Sequence, residues 1–467
     1  MTPVSTPVLG GRRVVVVGLA RSGAAAARLL AREGARVTVT DRRSEAELAP
    51  QLAALSGLDV QLALGGHDRA GLASADLVVV SPGVPMAIPE IREARRRGIP
   101  VWAEVELGAR FLGSTPIVAV TGTNGKSTTT ALAGALFAAD RPTFTGGNLG
   151  TPLCEHVLSG ARADAVVLEL SSFQIEGVVS LRPRVAAVLN VTPDHLDRYR
   201  DVEDYAAAKA RLFAVQGPAD AAVANARDDR ALAMASASRG DLFTFGFGPP
   251  APRAARDPGH EPSAAGATDI WVRLDGGGAP ERHRLRNRAL RGRHNRENAL
   301  AAVLCARLLG VPGEAVQRGL DAFPGLPHRL ELVSERGGVE WVNDSKATNV
   351  DSTQVGLSAF PAGTPRLVLI MGGRGKGAPY APLRSLFGGR VKALLTLGED
   401  AAAVERELGD LVPTEGCGTL AAAVKRAARL AAPGDVVLLS PACASYDQYR
   451  SYEERGEAFR RLAAEVA

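Results

Sequence analysis

Short β-branched or apolar runs recur along the chain, separated by stretches whose apolar positions follow a helical period. Val14–Val17 reads as a buried strand, Gly23–Glu33 as a helix and Arg36–Thr40 as a second strand. Together they make a complete strand–helix–strand unit over Arg12–Asp41. Leu77–Val80 and the residues near Val101 continue the pattern. A second set begins at Ile117, runs into a helix over Thr128–Ala139, and continues in strands at Ala165–Leu168, Val185–Leu189 and Ile270–Leu274. A helix is expected after Asn295, through Ala299–Leu309. A third set follows, with strands near Val339–Val342, Arg366–Met371, Ala393–Thr396 and Val436–Leu439. Strands alternating with helices predict parallel sheets covered on their faces by helices.

Length and breakers set the domain expectation. A chain of 467 residues is long enough for roughly three domains of about 150 residues. The first pattern ends around Ala103–Gly113, and Pro324-Gly-Leu-Pro327 is the next break. The expectation is an α/β protein of three consecutive domains: a Rossmann-like N-terminal domain over 1–105, a central P-loop-type ATPase sheet over 106–325, and a C-terminal Rossmann-like αβ domain over 326–467. Gly248–Thr268, rich in Pro, Ala and Gly without a period, reads as a surface loop or insertion.

Composition narrows the class. Charged residues make up 22% of the chain and the net charge is +5, a mildly basic globular balance that reads first as an Arg-rich solvated surface and, as the functional alternative, as attraction for anionic small molecules. Aromatics are only 4% and do not interleave with the basic residues, which argues against nucleic acid. The arginine-rich stretch Arg282–Arg296 therefore reads as a solvated basic hairpin. Cys154, Cys305, Cys417 and Cys443 lack CxxC spacing and read as reduced cysteines of a cytoplasmic protein. No signal-peptide pattern or membrane-length apolar run is present.

The strongest chemical signal is Pro116-Ile-Val-Ala-Val-Thr-Gly-Thr-Asn-Gly-Lys-Ser-Thr128. A strand, a Gly-rich turn and a helix in that order form a phosphate cradle, because free N–H groups and partial positive charge lie at the helix start. Lys126 adds a cation, and the Ser127 hydroxyl can ligate Mg²⁺. The spacing departs from the common P-loop, since Val120 stands where the first glycine belongs. Glu169 ends the strand Ala165–Leu168 and suits a Mg²⁺ ligand; an acid there is also commonly structural. His195, in Asn190-Val-Thr-Pro-Asp-His-Leu-Asp197, follows another strand of the same expected sheet. Imidazole is a common metal ligand, and a bland loop histidine is the competing reading.

The first domain carries Gly18-Leu-Ala-Arg-Ser-Gly23, a dinucleotide turn with Ala20 in place of the middle glycine, and Asp41 at the end of the next strand. The readings are a classical nicotinamide site, a Rossmann-like domain holding another nucleotide, and a purely structural turn. Ser81-Pro-Gly-Val-Pro85 is either a tight turn or a ligand loop at the sheet's carboxyl edge. In the third domain Asn343–Asn349, Met371–Gly377 and Ser440–Gln448 all follow strands and are expected to converge on one anion site. A switch or motor ATPase leaves the first domain unexplained, and a nicotinamide oxidoreductase leaves Lys126, Glu169 and His195 idle. Activation of a carboxylate by ATP, followed by capture with an amine, uses all three domains.

Gly122-Thr-Asn-Gly-Lys-Ser127, Leu168-Glu-Leu-Ser-Ser-Phe-Gln174, Asp194-His-Leu-Asp197, His294-Asn-x-x-Asn298, His328-Arg329 and Asn343-Asp-Ser-Lys-Ala-Thr348 resemble the Mur ligase superfamily. Within it, Leu326-Pro-His-Arg329 and Ser440-Pro-Ala-Cys-Ala-Ser-Tyr-Asp-Gln448 are similar to members that join D-glutamate to UDP-N-acetylmuramoyl-L-alanine. A member adding another amino acid, or a folylpolyglutamate synthetase-like ligase, is the alternative. The resemblance implies ATP on Gly122, Thr123, Asn124, Gly125, Lys126, Ser127 and Thr128, with Asn295 and Asn298 at adenine and Arg329 and Asp344 at ribose or phosphates. It implies two Mg²⁺ ions served by Ser127, Glu169, His195 and Lys209, the last if carbamoylated, with Lys126, His195 and Lys209 catalytic. The uridine–muramoyl substrate would contact Arg21, Ser22, Gly23, Asp41, Arg42, Arg43, Ser81, Pro82, Gly83, Asn148, Ser171 and His195. D-Glutamate would contact Lys346, Thr348, Lys376, Ser445 and Tyr452. The resemblance further implies a cytoplasmic monomer without nucleic-acid or membrane partners.

Overall fold

The computed structural model describes residues 6–249, 251–257, 268–275 and 279–466. The chain forms two compact units, Met1–Leu285 with Glu297–Asp321, and Arg286–Arg296 with Ala322–Ala467. Among the described residues there are three sheets. The first unit holds two of them.

The N-terminal sheet contains β1 (Arg13–Val17), β2 (Arg36–Asp41), β3 (Val60–Leu64), β4 (Leu77–Val80) and β5 (Val101–Ala103) in the order β3-β2-β1-β4-β5. All its pairings are parallel. The continuous valine runs exist because both faces are covered. Val14 and Val16 pack with Leu29 and Leu30 of the helix Arg21–Arg32. Val15 and Val17 pack on the opposite face with Ile91 and Ala94. The strand order reverses between β1 and β4, so a crevice opens outside their carboxyl ends.

The larger sheet contains β6 (Ile117–Thr121), β7 (Thr143–Gly147), β8 (Ala165–Glu169), β9 (Val185–Val188), β10 (Ala221–Asn225), β11 (Asp241–Phe247), β12 (Ala254–Asp257), β13 (Thr268–Arg273) and β14 (Glu281–Leu285). Their order is β14-β13-β12-β11-β10-β9-β6-β8-β7. β6 lies between β8 and β9, parallel to both, which brings the ends of three strands together. The strand β12 corrects the expectation of a loop throughout Gly248–Thr268. Ala254 and Ala255 carry little intrinsic strand signal, yet both are buried and paired to β11 and β13; partner strands, not local propensity, decide this segment. Residues 258–267 lie outside the described residues.

The second unit carries β15 (Glu331–Arg336), β16 (Val339–Asn343), β17 (Leu367–Gly372), β18 (Val391–Leu397), β19 (Thr414–Gly418) and β20 (Val436–Leu439). Their order is β15-β16-β20-β17-β18-β19, parallel except for β15 with β16. Leu369 and Met371 face one core and Val368 and Ile370 the other.

The basic stretch Arg282–Arg296 is a hairpin only at its start. β14 pairs antiparallel with β13, and from Arg293 the chain is already in the helix Arg293–Leu308. Arg282 pairs with Asp269 at 2.6 Å and Arg291 with Glu340 at 2.7 Å, so ion pairs neutralise part of the stretch. The four cysteines form no disulfide. Among the described residues no helix is long and apolar enough to cross a membrane.

Candidate active site

The loop expected to cradle phosphate follows β6. Gly122 has φ +145° and Gly125 φ +84°, a conformation that L side chains rarely adopt. A Cβ on Gly125 would lie 2.3 Å from Asn298 Oδ1. The turn therefore needs glycine at the point where the helix Lys126–Ala138 begins. The loop is held from β9's end. Thr123 N donates to Asn190 O (2.9 Å) and Asn124 N to Asn190 Oδ1 (2.8 Å). Asn190 Nδ2 donates back to Asn124 O (3.1 Å), and Thr192 N donates to Thr123 Oγ1 (3.1 Å). Asn190 and Thr192 are thus loop-shaping residues that sequence reasoning did not assign. Their only sequence signal was adjacency to His195. Lys126 Nζ is folded over the turn, donating to Gly122 O (3.0 Å) and Thr123 O (2.7 Å).

Lys209 approaches the same loop from the helix Val202–Ala214, whose N-cap Asp201 accepts from Asp204 N. Lys209 Nζ donates to Gly122 O at 2.9 Å and stands 4.4 Å from the Tyr205 ring centroid. The side chain is almost wholly buried. Burial, then the charge of Lys126, push its pKa down to about 7, with Asp194 and Glu169 pulling the other way. Lys126 and Lys209 both donate to Gly122 O, so the two amines meet at one carbonyl.

Glu169 is buried at the end of β8. Its Oε1 accepts from Asn148 Nδ2 at 2.6 Å, and its Oε2 is buried without a hydrogen-bond partner. A buried carboxylate oxygen left unsatisfied is costly unless a donor or cation meets it. His195 sits at φ +55°, its ring 4.8 Å from that of Phe173 and its Nε2 3.6 Å from Asp194 Oδ2. Among the described residues no three His, Cys, Asp or Glu side chains gather as a metal cluster. A cation here would complete its shell with Ser127, phosphate oxygens and water.

A cavity of about 510 Å³ opens at the β1/β4 crevice, lined among others by Arg21, Ser22, Asp41–Arg43, Ser81–Gly83 and Asn148. Ser81 Oγ donates to Gly18 O at 2.7 Å, closing the turn. Asp41 accepts from Leu19 N (2.7 Å) and from Arg43. Burial raises its pKa, but the Arg43 and Leu19 hydrogen bonds win and hold it at about 2. Gly23 does not line the cavity. A Cβ there would lie 1.9 Å from Gly18 O, so its part is close packing of turn and helix. Ser171 is likewise engaged locally, in a capping box with Gln174.

In the second unit the loops after β16, β17 and β20 adjoin. Arg374 N donates to Ala444 O and Ala444 N to Arg374 O, both at 2.9 Å. The buried Arg455 guanidinium donates to Ser345 Oγ (3.0 Å), Ser345 O (2.9 Å), Cys443 O (3.0 Å) and Ala444 O (3.3 Å). It ties the loop carrying Lys346 and Thr348 to the loop carrying Ser445. Lys346 Nζ lies 5.3 Å from the Tyr452 ring centroid, and Lys376 is exposed. Asp344, accepting from Ser440 Oγ (2.8 Å) and Leu330 N (3.3 Å), is pushed up to about 7 by burial. His294 is pushed down to about 4 by burial and by Arg329. Asn295 Nδ2 donates to Arg291 O (3.0 Å). Asn298 belongs to the first unit, where its Oδ1 accepts from Thr129 Oγ1 (3.2 Å).

Comparison with known proteins finds matches along most of the chain. Residues 12–103 match the Mur ligase MurD-like N-terminal domain, 120–306 the Mur ligase middle domain, and 328–443 the Mur ligase glutamate ligase domain. The chain is 75% identical to the UDP-N-acetylmuramoylalanine--D-glutamate ligase of Anaeromyxobacter dehalogenans, covering 99% of this chain and all of that one. It is 51% identical to the ligase of the same name from Myxococcus xanthus, covering 98% and 99%. Among solved structures, UDP-N-acetylmuramate-alanine ligase from Thermotoga maritima matches with TM-score 0.59 at 19% identity, covering 97% of this chain and 98% of that one. UDP-N-acetylmuramoylalanyl-D-glutamyl-2,6-diaminopimelate--D-alanyl-D-alanyl ligase from Acinetobacter baumannii matches with TM-score 0.61 at 19% identity, covering 92% and 90%. At those identities the structures speak for the fold alone. With three domain models in register and full-length relatives at this identity, the chain belongs to the Mur ligase family.

Proposed function

We propose that the protein is an ATP-dependent, amide-forming ligase that joins D-glutamate to UDP-N-acetylmuramoyl-L-alanine, releasing ADP and phosphate, in the cytoplasmic synthesis of peptidoglycan precursor. The observation that carries this reading is the 75% identity, end to end, with a ligase named for that reaction. The site chemistry supports it, and the protein acts as a monomer.

The uridine nucleotide occupies the β1/β4 cavity through Arg21, Ser22, Asp41–Arg43 and Ser81–Gly83, and Asn148 reaches the muramoyl part. ATP lies with its phosphates on Gly122–Thr128, where the helix N-terminus favours anions. Asn295 and Asn298 reach adenine, and Arg329 and Asp344 the phosphates or ribose. The unpartnered Glu169 Oε2 fits a divalent cation. Ser127, Glu169, His195 and a carbamoylated Lys209 would hold two Mg²⁺, which neutralise charge during phosphoryl transfer.

Lys209 is prepared for carbamoylation because a pKa of about 7 leaves much of its amine uncharged at neutral pH. The amine adds CO₂ and sheds a proton, turning a buried cation into an anion. The reaction itself runs in two stages. The alanyl carboxylate attacks the γ-phosphorus of ATP, forming an acyl phosphate and ADP, while Lys126 stabilises charge on the transferring group. The D-glutamate amine then attacks the acyl carbon through a tetrahedral intermediate, loses a proton, and expels phosphate. Lys346, Thr348, Lys376, Ser445 and Tyr452 hold the D-glutamate.

The test is phosphate release from ATP with UDP-N-acetylmuramoyl-L-alanine and each of several amino acids. Release is expected only with D-glutamate. Equal release with another amino acid would overturn the assignment of the substrate.

A further inference from the structure

Arg198 occupies an unusual position between two parts of the first unit. Its side chain is only 13% exposed and makes a 2.7 Å ion pair with Glu176. Its Nη1 donates to Pro82 O at 3.3 Å, and Pro82 lines the β1/β4 cavity. Its guanidinium carbon lies 3.9 Å from the Phe173 ring centroid, and the Phe173 ring lies 4.8 Å from that of His195. The backbone adds a further link. Arg198 N and Tyr199 N donate to His195 O at 2.9 and 3.0 Å, across the turn in which His195 takes φ +55°. Tyr199 Oη donates to Glu176 Oε1 at 2.5 Å. Glu176 thus holds both residues that fasten the His195 turn.

We infer that Arg198 is a positioning residue that sets the His195 turn and the Pro82 loop together, so that the nucleotide cavity and the His195 end of the phosphoryl-transfer site are oriented by one side chain. A planar guanidinium is suited to this. It donates in its plane to a carbonyl and a carboxylate while its face covers an aromatic ring. A lysine in its place supplies one charge and cannot serve all three partners. The inference rests on the proposed use of the cavity and of His195, and Arg198 itself touches no reacting atom.

The test compares wild type, Arg198→Lys and Phe173→Leu in binding of UDP-N-acetylmuramoyl-L-alanine without ATP, in steady-state kinetics, and in thermal melting. Arg198→Lys is expected to weaken that binding and to lower kcat, each by roughly tenfold, the size of a lost cation–π or buried polar contact. Its KM for ATP and D-glutamate stays at the wild-type value. Phe173→Leu keeps the ion pair and the Pro82 contact, so it lowers kcat while leaving the binding unchanged. A purely structural arginine would lower the melting temperature and leave binding and KM values as they were, which would overturn the inference. So would a loss of affinity with unchanged kcat, or a Phe173→Leu enzyme with wild-type kcat. If Arg198→Lys does not fold, Glu176→Gln, which weakens the hold on the same guanidinium, replaces it with the same expected and overturning outcomes. Wild-type enzyme without D-glutamate-dependent phosphate release would instead remove the functional reading on which the inference stands.

Discussion

Lys209 Nζ donates a 2.9 Å hydrogen bond to the carbonyl oxygen of Gly122, so a buried lysine is fastened to the first residue of the phosphate turn. The partners are 87 positions apart in the sequence. Burial and Lys126 disfavour the charged amine, holding its pKa at about 7 instead of 10.5. Between these two values the unfolded chain binds more protons than the native one, so this group's effect is to make stability rise with pH. In CO₂-free buffer Lys209→Met should therefore be more stable than wild type at pH 7 and below, by on the order of 5 kcal/mol. The advantage should fade as pH rises towards 10.5. Denaturant unfolding at several pH values measures this. The same variant should lose activity by at least about a hundredfold.

Glu169→Gln keeps the shape of the side chain and removes its charge. Asn148 can still pair with the amide oxygen, so the fold should persist with an unchanged melting temperature. Phosphate release should fall by about a hundredfold or more, and the Mg²⁺ concentration for half-activation should rise. A magnesium titration of the variant against wild type is the measurement.

Gly125→Ala places a Cβ 2.3 Å from Asn298 Oδ1 at a residue with φ +84°. The strain should cost about 1–3 kcal/mol of stability. Because the turn itself must shift, ATP affinity should fall by roughly tenfold or more, read by equilibrium binding.

Glu104 stands outside the proposed site and offers a separate check on burial. It accepts from Cys154 N at 2.6 Å, and desolvation pushes it up to about 7. Between pH 4.5 and about 7 the native state retains a proton that the unfolded chain has lost, so this group's effect is to make stability fall as pH rises. Glu104→Gln lacks that titration. Its stability relative to wild type should increase across the window, by on the order of 3 kcal/mol between pH 4.5 and 8. Unfolding free energies at those two pH values decide it.

Strand and helix placement was legible in the sequence because period and β-branched runs report burial locally. Val14–Val17 and Leu77–Val80 read as buried strands and are β1 and β4. The tight turn at Gly122–Gly125 and the helix start at Lys126 were legible too, since backbone conformation and a helix start are set by neighbouring residues. The tertiary structure alone decided which distant groups meet that turn. Asn190 and Thr192 shape it only because β6 and β9 pair in parallel. Lys209 reads as an ordinary helix lysine until the fold buries it against Gly122. The Ala254–Asp257 segment becomes a strand because β11 and β13 flank it, and Ser171 is turned to capping Gln174. Local sequence sets the period of an element and the freedom of its backbone. Desolvation and the partner of each polar group depend on residues far along the chain, and only packing brings those together.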